Sequence, residues 1–346
     1  DKFRPLHLRY LSYDNLANSF QLLLDKGDSP KIKQEEFKDI TEKLLKYFFI
    51  GVSLPNESFW VNLRPDSPEN IIDPYLAQTD VGKILLEADL QLKKDTAQAT
   101  SPQTPEGKKY WDLLYKKAEE LFGTENVVIP TLARPWIVPD QIIIRETEKD
   151  AYIYKATLKV MLEQDYLKDS AIYNFKDPRL KVLNEYASEL MRELIIPKLN
   201  KLINTSKKYA SLRQVYYSLI LAQWFKARFY GRGGLYSWLI NRRDLTNLTT
   251  QETWSVQEYF KQYQKSFKEG EYNLKEPRLT SFGTVIRNYF SGGIDFNLGG
   301  FPAPGGKGQG VFSIGGNGRE GKNVFGAGGY LAKVGVTCGP GVGEVV

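Results

Sequence analysis

The sequence predicts an α+β fold in three stretches. These are an N-terminal mixed region with an antiparallel β-meander (1–168), a mainly helical region (169–290) and a Gly-rich β-like tail (291–346). Three patterns predict it. Between 130 and 166, Tyr152, Tyr154, Ala156, Leu158 and Val160 alternate with Lys155, Thr157 and Lys159. That period of two belongs to a strand with one face in a core and one in water. From 180 to 229 the apolar residues recur at helical spacing instead. Beyond 290 there are 19 Gly in 56 residues, with short apolar words between the glycine pairs.

Taken in order, 6–11 is a candidate strand, and Asp14 reads as the N-cap of a short helix through Leu24. Phe37, Ile40, Leu44 and Phe48 have helical spacing, and 58–63 reads as a strand after the Pro55-Asn56 turn. The proline-rich 64–74 is a loop. Thr79 or Asp80 caps a helix with Ile84, Leu85, Ala88 and Leu92 as its core stripe. The next helix, 106–122, carries Trp111, Leu114, Ala118 and Leu121 on one side and stops at Gly123, where a helix commonly turns left-handed. In the meander, 136–138 and 141–147 read as separate runs on either side of the Pro139-Asp140 turn pair, with 148–150 as the next turn.

The helical region opens with Leu180, Leu183, Ala187, Leu190 and Leu194, spaced alternately by three and four as in a bundle seam. Pro197 should kink or end that helix, because it lacks an N–H and clashes with the preceding turn. The stretch 209–229 is apolar around much of its girth, which predicts a central helix, and 255–268 predicts an amphipathic one. The tail admits two readings: a flexible segment, or tight turns and short strands in which Gly supplies positive φ. Its spaced aromatic and β-branched residues favour the second, held by the rest of the chain or by another copy.

Composition removes many activities. The 346 residues hold one His and one Cys, so neither a multi-histidine metal site nor an intramolecular disulfide fits within one chain. A hydrolase of the Ser–His–Asp kind would have His7 as its only base, and the plainer reading is a partly buried structural imidazole. No metal or other cofactor is expected. No apolar run is long enough to cross a bilayer. The chain begins DKFRPLHLRY, without Met or an apolar signal region, and reads as a processed product or a piece of something longer. Its compartment is read as secreted or cell envelope.

Three constellations bear on function. Gly316 to Asn323 (GNGREGKN) matches a phosphate-loop spacing, but Asn323 stands where the Mg²⁺-binding hydroxyl belongs, and a Gly-rich end rather than a helix follows. It is read as a chance match. The second is electrostatic: between 194 and 243 lie Lys198, Lys201, Lys207, Lys208, Arg213, Lys226, Arg228, Arg232, Arg242 and Arg243, with no Asp or Glu. The chain as a whole is +6, so its remainder carries −4 and the basicity is local. Interleaved Tyr and Trp make a polyanion site conceivable, with cations on phosphates and rings on bases. The competing reading puts the aromatics in the core and pairs the cations with acids from elsewhere. The third is a carboxylate-based glycoside hydrolase, which needs two acids and an aromatic platform but no His. Trp60, Trp111, Trp136 and Trp254 are candidate platforms, and the 41 acidic residues do not single out a pair.

Several stretches between 48 and 293 resemble those of a group of uncharacterised, often large bacterial proteins: FFIGVSLPNESFWVNLRPDSP, TDVGKILLEADLQLKKDTA, RPWIVPDQIIIRE with YIYKATLKVMLEQDY, LRQVYYSLILAQWFKARF, and NYFSGG. The resemblance implies a module of a larger polypeptide of the cell envelope, and no activity, cofactor or catalytic residue. The leading expectation is therefore a non-enzymatic structural or interaction module of a surface or envelope-associated polypeptide. Its partners would be other protein chains, or copies of itself through the Gly-rich tail. Nucleic-acid or other polyanion binding through 194–243 is the alternative, and the hydrolase is third.

Overall fold

The structure, a computed structural model, describes residues 2–14, 16–17, 19–28, 32–64, 68–123, 128–167, 177–229, 248–249, 254–269, 273–276, 285–290, 292–296, 298, 311–313 and 331–337. For 128–132, 167, 267, 273–276, 285–290, 311–313 and 331–337 the backbone alone is described. In chain order the elements are β1 (His7–Asp14), β2 (Ser19–Asp25), α1 (Gln34–Ser53), β3 (Trp60–Val61), α2 (Asp80–Ala99), α3 (Pro105–Phe122), β4 (Val128–Ala133), β5 (Pro135–Glu146), β6 (Asp150–Leu162) and α4 (Glu163–Leu167). They continue with α5 (Pro178–Leu190), α6 (Ile196–Thr205), α7 (Ala210–Phe229), α8 (Val256–Glu269), β7 (Asn273–Glu276), β8 (Val285–Phe290), β9 (Gly293–Asp295), β10 (Val311–Ser313) and β11 (Leu331–Thr337). Six strands in the order β2-β1-β6-β5-β9-β3 form a mixed sheet, antiparallel except between β5 and β9. Seven helices of ten or more residues accompany it, which is the α+β class the sequence predicts. A smaller sheet runs β4-β8-β7. In the tail, β10 pairs with β5 and β11 with β2. The rest of the chain beyond 298, including the 316–323 string and Cys338, lies outside the described residues.

The expected helix after Asp14 is instead the second strand of a hairpin. Phe20, Leu22 and Leu24 are buried and alternate with half-buried neighbours, so the period is two rather than 3.6. Asp14 does bond the following backbone, accepting from Leu16 N at 2.8 Å and Ala17 N at 3.2 Å. That bond closes a turn between antiparallel strands rather than starting a helix. The hairpin packs an aromatic cluster, with Tyr13 and Phe20 meeting Phe48 of α1 and Phe225 of α7.

The predicted meander is real, with two corrections. Residues 136–138 and 141–146 belong to one continuous strand, β5, and Pro139-Asp140 makes a bulge in it rather than a turn. On β6 the pairing steps from Lys155 to Ile153 opposite consecutive residues of β5, which leaves Tyr154 as an extra residue. The buried set therefore changes phase: Ala151 and Ile153 before the step, Leu158, Val160 and Leu162 after it. Tyr154, expected in the core, is exposed. Past Tyr152 the outer edge of β6 runs beyond its pairing with β1, and side chains of α6 take over. Asn204 accepts from Leu158 N at 2.9 Å and donates to Leu158 O at 2.7 Å, while Asn200 accepts from Val160 N at 2.6 Å. These amides satisfy backbone groups that a sheet edge leaves open.

The helices follow their sequence signals closely. Thr79 and Thr104 cap α2 and α3 through their hydroxyls, and Gly123 ends α3 at a φ of 57°. Pro197 does not end its helix. A wide π-turn over Met191–Ile195 joins α5 to α6 and absorbs the missing N–H and the bulk of the ring. Helix α7 is buried on most sides, with Tyr216, Leu219, Leu221, Trp224 and Phe225 all at or below 2 % exposure. Each such side chain contributes about 1.5–3 kcal/mol, against less than about 1 kcal/mol for an exposed ion pair. The apolar stripe decides where α7 sits. No helix among the described residues is long and apolar enough to cross a membrane.

One ion pair lies wholly inside. Asp89 and Lys93 of α2 are both at 0 % exposure, with Nζ 2.6 Å from Oδ1. Asp89 also accepts from Leu63 N at 3.1 Å, and Lys93 donates to Gly292 O at 3.3 Å. Burial pushes the carboxyl up and the ammonium down, toward neutrality, and the charge of each opposes that push on the other. Lys93→Ala strands a buried carboxylate and is expected to lower the unfolding free energy by about 3–5 kcal/mol. The Asp89→Leu/Lys93→Met pair should recover most of that loss in a urea titration, and equal losses for the single and double variants would refute the pairing.

Candidate functional site

Seven of the ten cations of the basic segment are among the described residues, and the fold buries two of them, Arg213 and Lys226. Arg213, at 7 % exposure, donates to the carbonyls of Ile203, Ser206 and Phe3, each at 2.8 Å. Lys226, at 6 %, donates to Leu54 O at 2.7 Å, just past the C-terminus of α1. Both meet carbonyls that a helix end leaves open and that attract cations. Burial lowers Arg213 to about 10 and Lys226 to about 8. Lys208 is held at 2.8 Å by the buried Asp95, which also accepts from Tyr209, and Lys198 lies 3.4 Å from Glu106. Arg228 reaches Glu148 O at 3.4 Å, and Lys207 lies over the Phe3 ring. Lys201 is exposed. Arg232, Arg242 and Arg243 lie outside the described residues.

His7 is buried in the first strand. Its Nδ1 faces Pro5 O at 2.8 Å, its ring is 4.1 Å from that of Tyr217, and Asp25 lies 4.0 Å from Nε2. Burial pushes the imidazole down to about 4, against the opposing pull of the Pro5 carbonyl and the Asp25 charge. Its neighbours among the described residues are the Pro5 carbonyl, the charged groups of Arg9 and Asp25, and the phenol ring of Tyr217.

The structure puts two of the four candidate tryptophans on one face of the sheet, with acids the sequence could not single out. On the sheet, Trp60 of β3 is directly opposite Asp295 of β9, and Trp136 of β5 is in register with Gly293. Opposite residues share a face, and so do residues two apart on a strand. Trp60, Asp295 and Trp136 therefore lie on one face, while Val61, Ile137 and Ile294, all at 0 % exposure, fill the core face. The glycines permit the close approach. A Cβ on Gly293 would lie 2.8 Å from the Trp136 ring, and Gly292, at a φ of 131°, sits against the Pro135 carbonyl.

Helix α4 folds over this face and supplies three side chains from adjacent positions. Glu163 accepts from Arg134 Nη1 at 2.9 Å and from Trp136 Nε1 at 3.0 Å, and it is buried. Asp165 takes a two-pronged bond from Arg192 at 2.8 and 2.9 Å, the arginine projecting from the π-turn. Tyr166 stacks at 5.7 Å and 31° on Trp136 and donates its hydroxyl to Asp295. Burial, and then that bond, hold the phenol above its ordinary value, so it keeps its proton. Trp60, Tyr166 and Asp295 are half-buried and reach the surface.

A glycosidase acid must present a proton to the leaving oxygen. Here Glu163 and Asp295 are both engaged as acceptors, from a guanidinium, an indole N–H and a phenol. The arrangement suits holding a ligand better than cleaving one. The other two tryptophans stay elsewhere: Trp111 is buried and donates to Thr100 O at 2.8 Å, and Trp254 packs on Tyr259. Among the described residues no cluster of three or more His, Cys, Asp or Glu could hold a metal ion. Compared with protein-family models, with curated proteins and with solved structures, the chain matches none of them.

Two measurements test these placements. In a salt titration with a fluorescent duplex, five phosphates neutralised would give a slope of roughly −4 to −5 in log K against log salt. With most of the described cations occupied, binding at physiological salt is expected to be millimolar or weaker, and Arg242→Ala/Arg243→Ala should change it little. A steep slope that the double variant flattens by about two units would restore the polyanion reading. For His7, the folded value of about 4 lies below the ordinary 6.5, so between them the unfolded chain binds more protons. Stability should therefore fall as pH drops through that window, by up to about 3 kcal/mol from this group. The urea midpoint of His7→Gln, compared with the parent at each pH, should lack that component.

Proposed function

We propose that the chain is a non-enzymatic interaction module of a larger surface or envelope-associated polypeptide, and that it joins its partners by strand pairing at the β2 edge. The observation that carries the reading is the seven-residue antiparallel ladder from Leu331↔Asp25 to Thr337↔Ser19, which β11 of the Gly-rich tail makes with the outermost strand of the six. An edge strand offers a row of backbone donors and acceptors to any extended segment, from the same chain or another. In the sequence the donated strand is flanked by glycine-rich stretches, and glycine carries a high backbone-entropy cost that favours ordering on contact. Other protein chains, or copies of this one, are the partners this reading implies.

The test uses the full chain and Val334→Pro, since proline in a ladder removes a donor and blocks pairing. The parent is expected to self-associate as its concentration rises, with slow amide exchange over 20–24. Val334→Pro should be monomeric and lose that protection. A parent that stays monomeric, with 20–24 protected equally in both proteins, would remove the strand-pairing reading.

A further inference from the structure

We infer that Trp60, Tyr166 and Asp295 form a platform for a neutral saccharide on the outer face of the sheet. Two aromatic rings and a carboxylate reach the surface there. Trp60 and Asp295 face each other across the β3–β9 pair, and Tyr166 is pinned at both ends, by the Trp136 ring and by its bond to Asp295. Glu163 holds Trp136 through the indole N–H, so the stack behind the platform is locked as well. Preorganised groups lose little entropy when a ligand arrives.

The ligand class follows from the chemistry. Ring faces carry partial negative charge and attract the C–H face of a pyranose. A carboxylate is an acceptor only, with room for about four bonds on its two oxygens, so it suits a ligand rich in hydroxyl donors. The same charge disfavours phosphate, sulfate or uronate groups, which separates this site from the polyanion reading of the basic segment. Few polar groups among rings is also the usual make-up of a small-ligand site. The inference goes beyond strand pairing and shares no residue with it, so either can fail alone.

Cellohexaose, chitohexaose and maltohexaose, titrated separately into the full chain, give the test by tryptophan emission and calorimetry. At least one is expected to saturate, with a Kd on the order of 0.1–1 mM for a shallow, open platform. Trp60→Ala should weaken it by roughly tenfold or more, the effect of removing one stacking ring. If Trp60→Ala lowers the melting temperature, Tyr166→Phe and Asp295→Asn supply the readout, since both retain every ring and change only the polar groups of the platform. Each should weaken binding, and a heparin hexasaccharide should not bind this face. Absence of saturation by all three probes at millimolar concentration would overturn the inference. So would unchanged affinity in the variants, or heparin binding that Asp295→Asn leaves unaltered.

Discussion

Asp89 and Lys93 face each other one helical turn apart, both wholly buried, and several parts of the molecule hang from that pair. The carboxylate holds the backbone of Leu63, just after β3, and the ammonium holds the carbonyl of Gly292, just before β9. Those two strands are neighbours, so one pair on α2 fixes where the far end of the sheet meets the helix. The Lys93 ammonium also lies 5.5 Å from the ring of the fully buried Tyr263, which draws α8 to the same place. A buried pair of this kind is costly to form and more costly to break on one side, which favours one arrangement over near alternatives.

The same economy of polar groups explains the basic segment. Of the ten cations, Lys198, Lys208, Arg213 and Lys226 meet acids or carbonyls brought from elsewhere in the chain. In three dimensions the acids come from elsewhere, Asp95 from α2 and Glu106 from α3, and the carbonyls come from helix ends. Arg213 ties the N-terminal segment to the end of α6, and Lys226 closes the end of α1. Their long apolar stems let them cross the core and deliver charge to these carbonyls.

The acid–aromatic face depends on a different device, the short helix α4 that follows β6 directly. Adjacent positions on one turn point in different directions, so Glu163, Asp165 and Tyr166 reach three separate partners. Arg192 can meet Asp165 because the π-turn re-aims its side chain where Pro197 would otherwise have broken the helix. Close approach then relies on Gly292 and Gly293, which leave room for Pro135 and the Trp136 indole. Groups brought this near need rigid support, and Glu163, Asp165 and Tyr166 each have a polar bond, Tyr166 with a ring stack besides.

Periodicity determined the elements wherever one local rule was enough. The α+β class, the β5–β6 hairpin, the helices over 80–99, 105–122 and 210–229, and the Gly123 stop were all legible, because spacing and capping act within a few residues. The helix expected after Asp14 failed because a turn-closing Asp and a capping Asp look alike in sequence, and pairing with β1 chose between them. Tyr154 failed because a bulge shifts the phase of a strand without altering its letters. Of the site, Trp60 and Trp136 were legible as residue types, but Glu163, Tyr166 and Asp295 were not. Their meeting depends on β9 inserting between β3 and β5 from 130 or more residues away, a contact whose register is set by backbone pairing and the absence of a side chain at Gly293. Residues carry their own preferences in the sequence, whereas their neighbours across a sheet exist only once the sheet has formed.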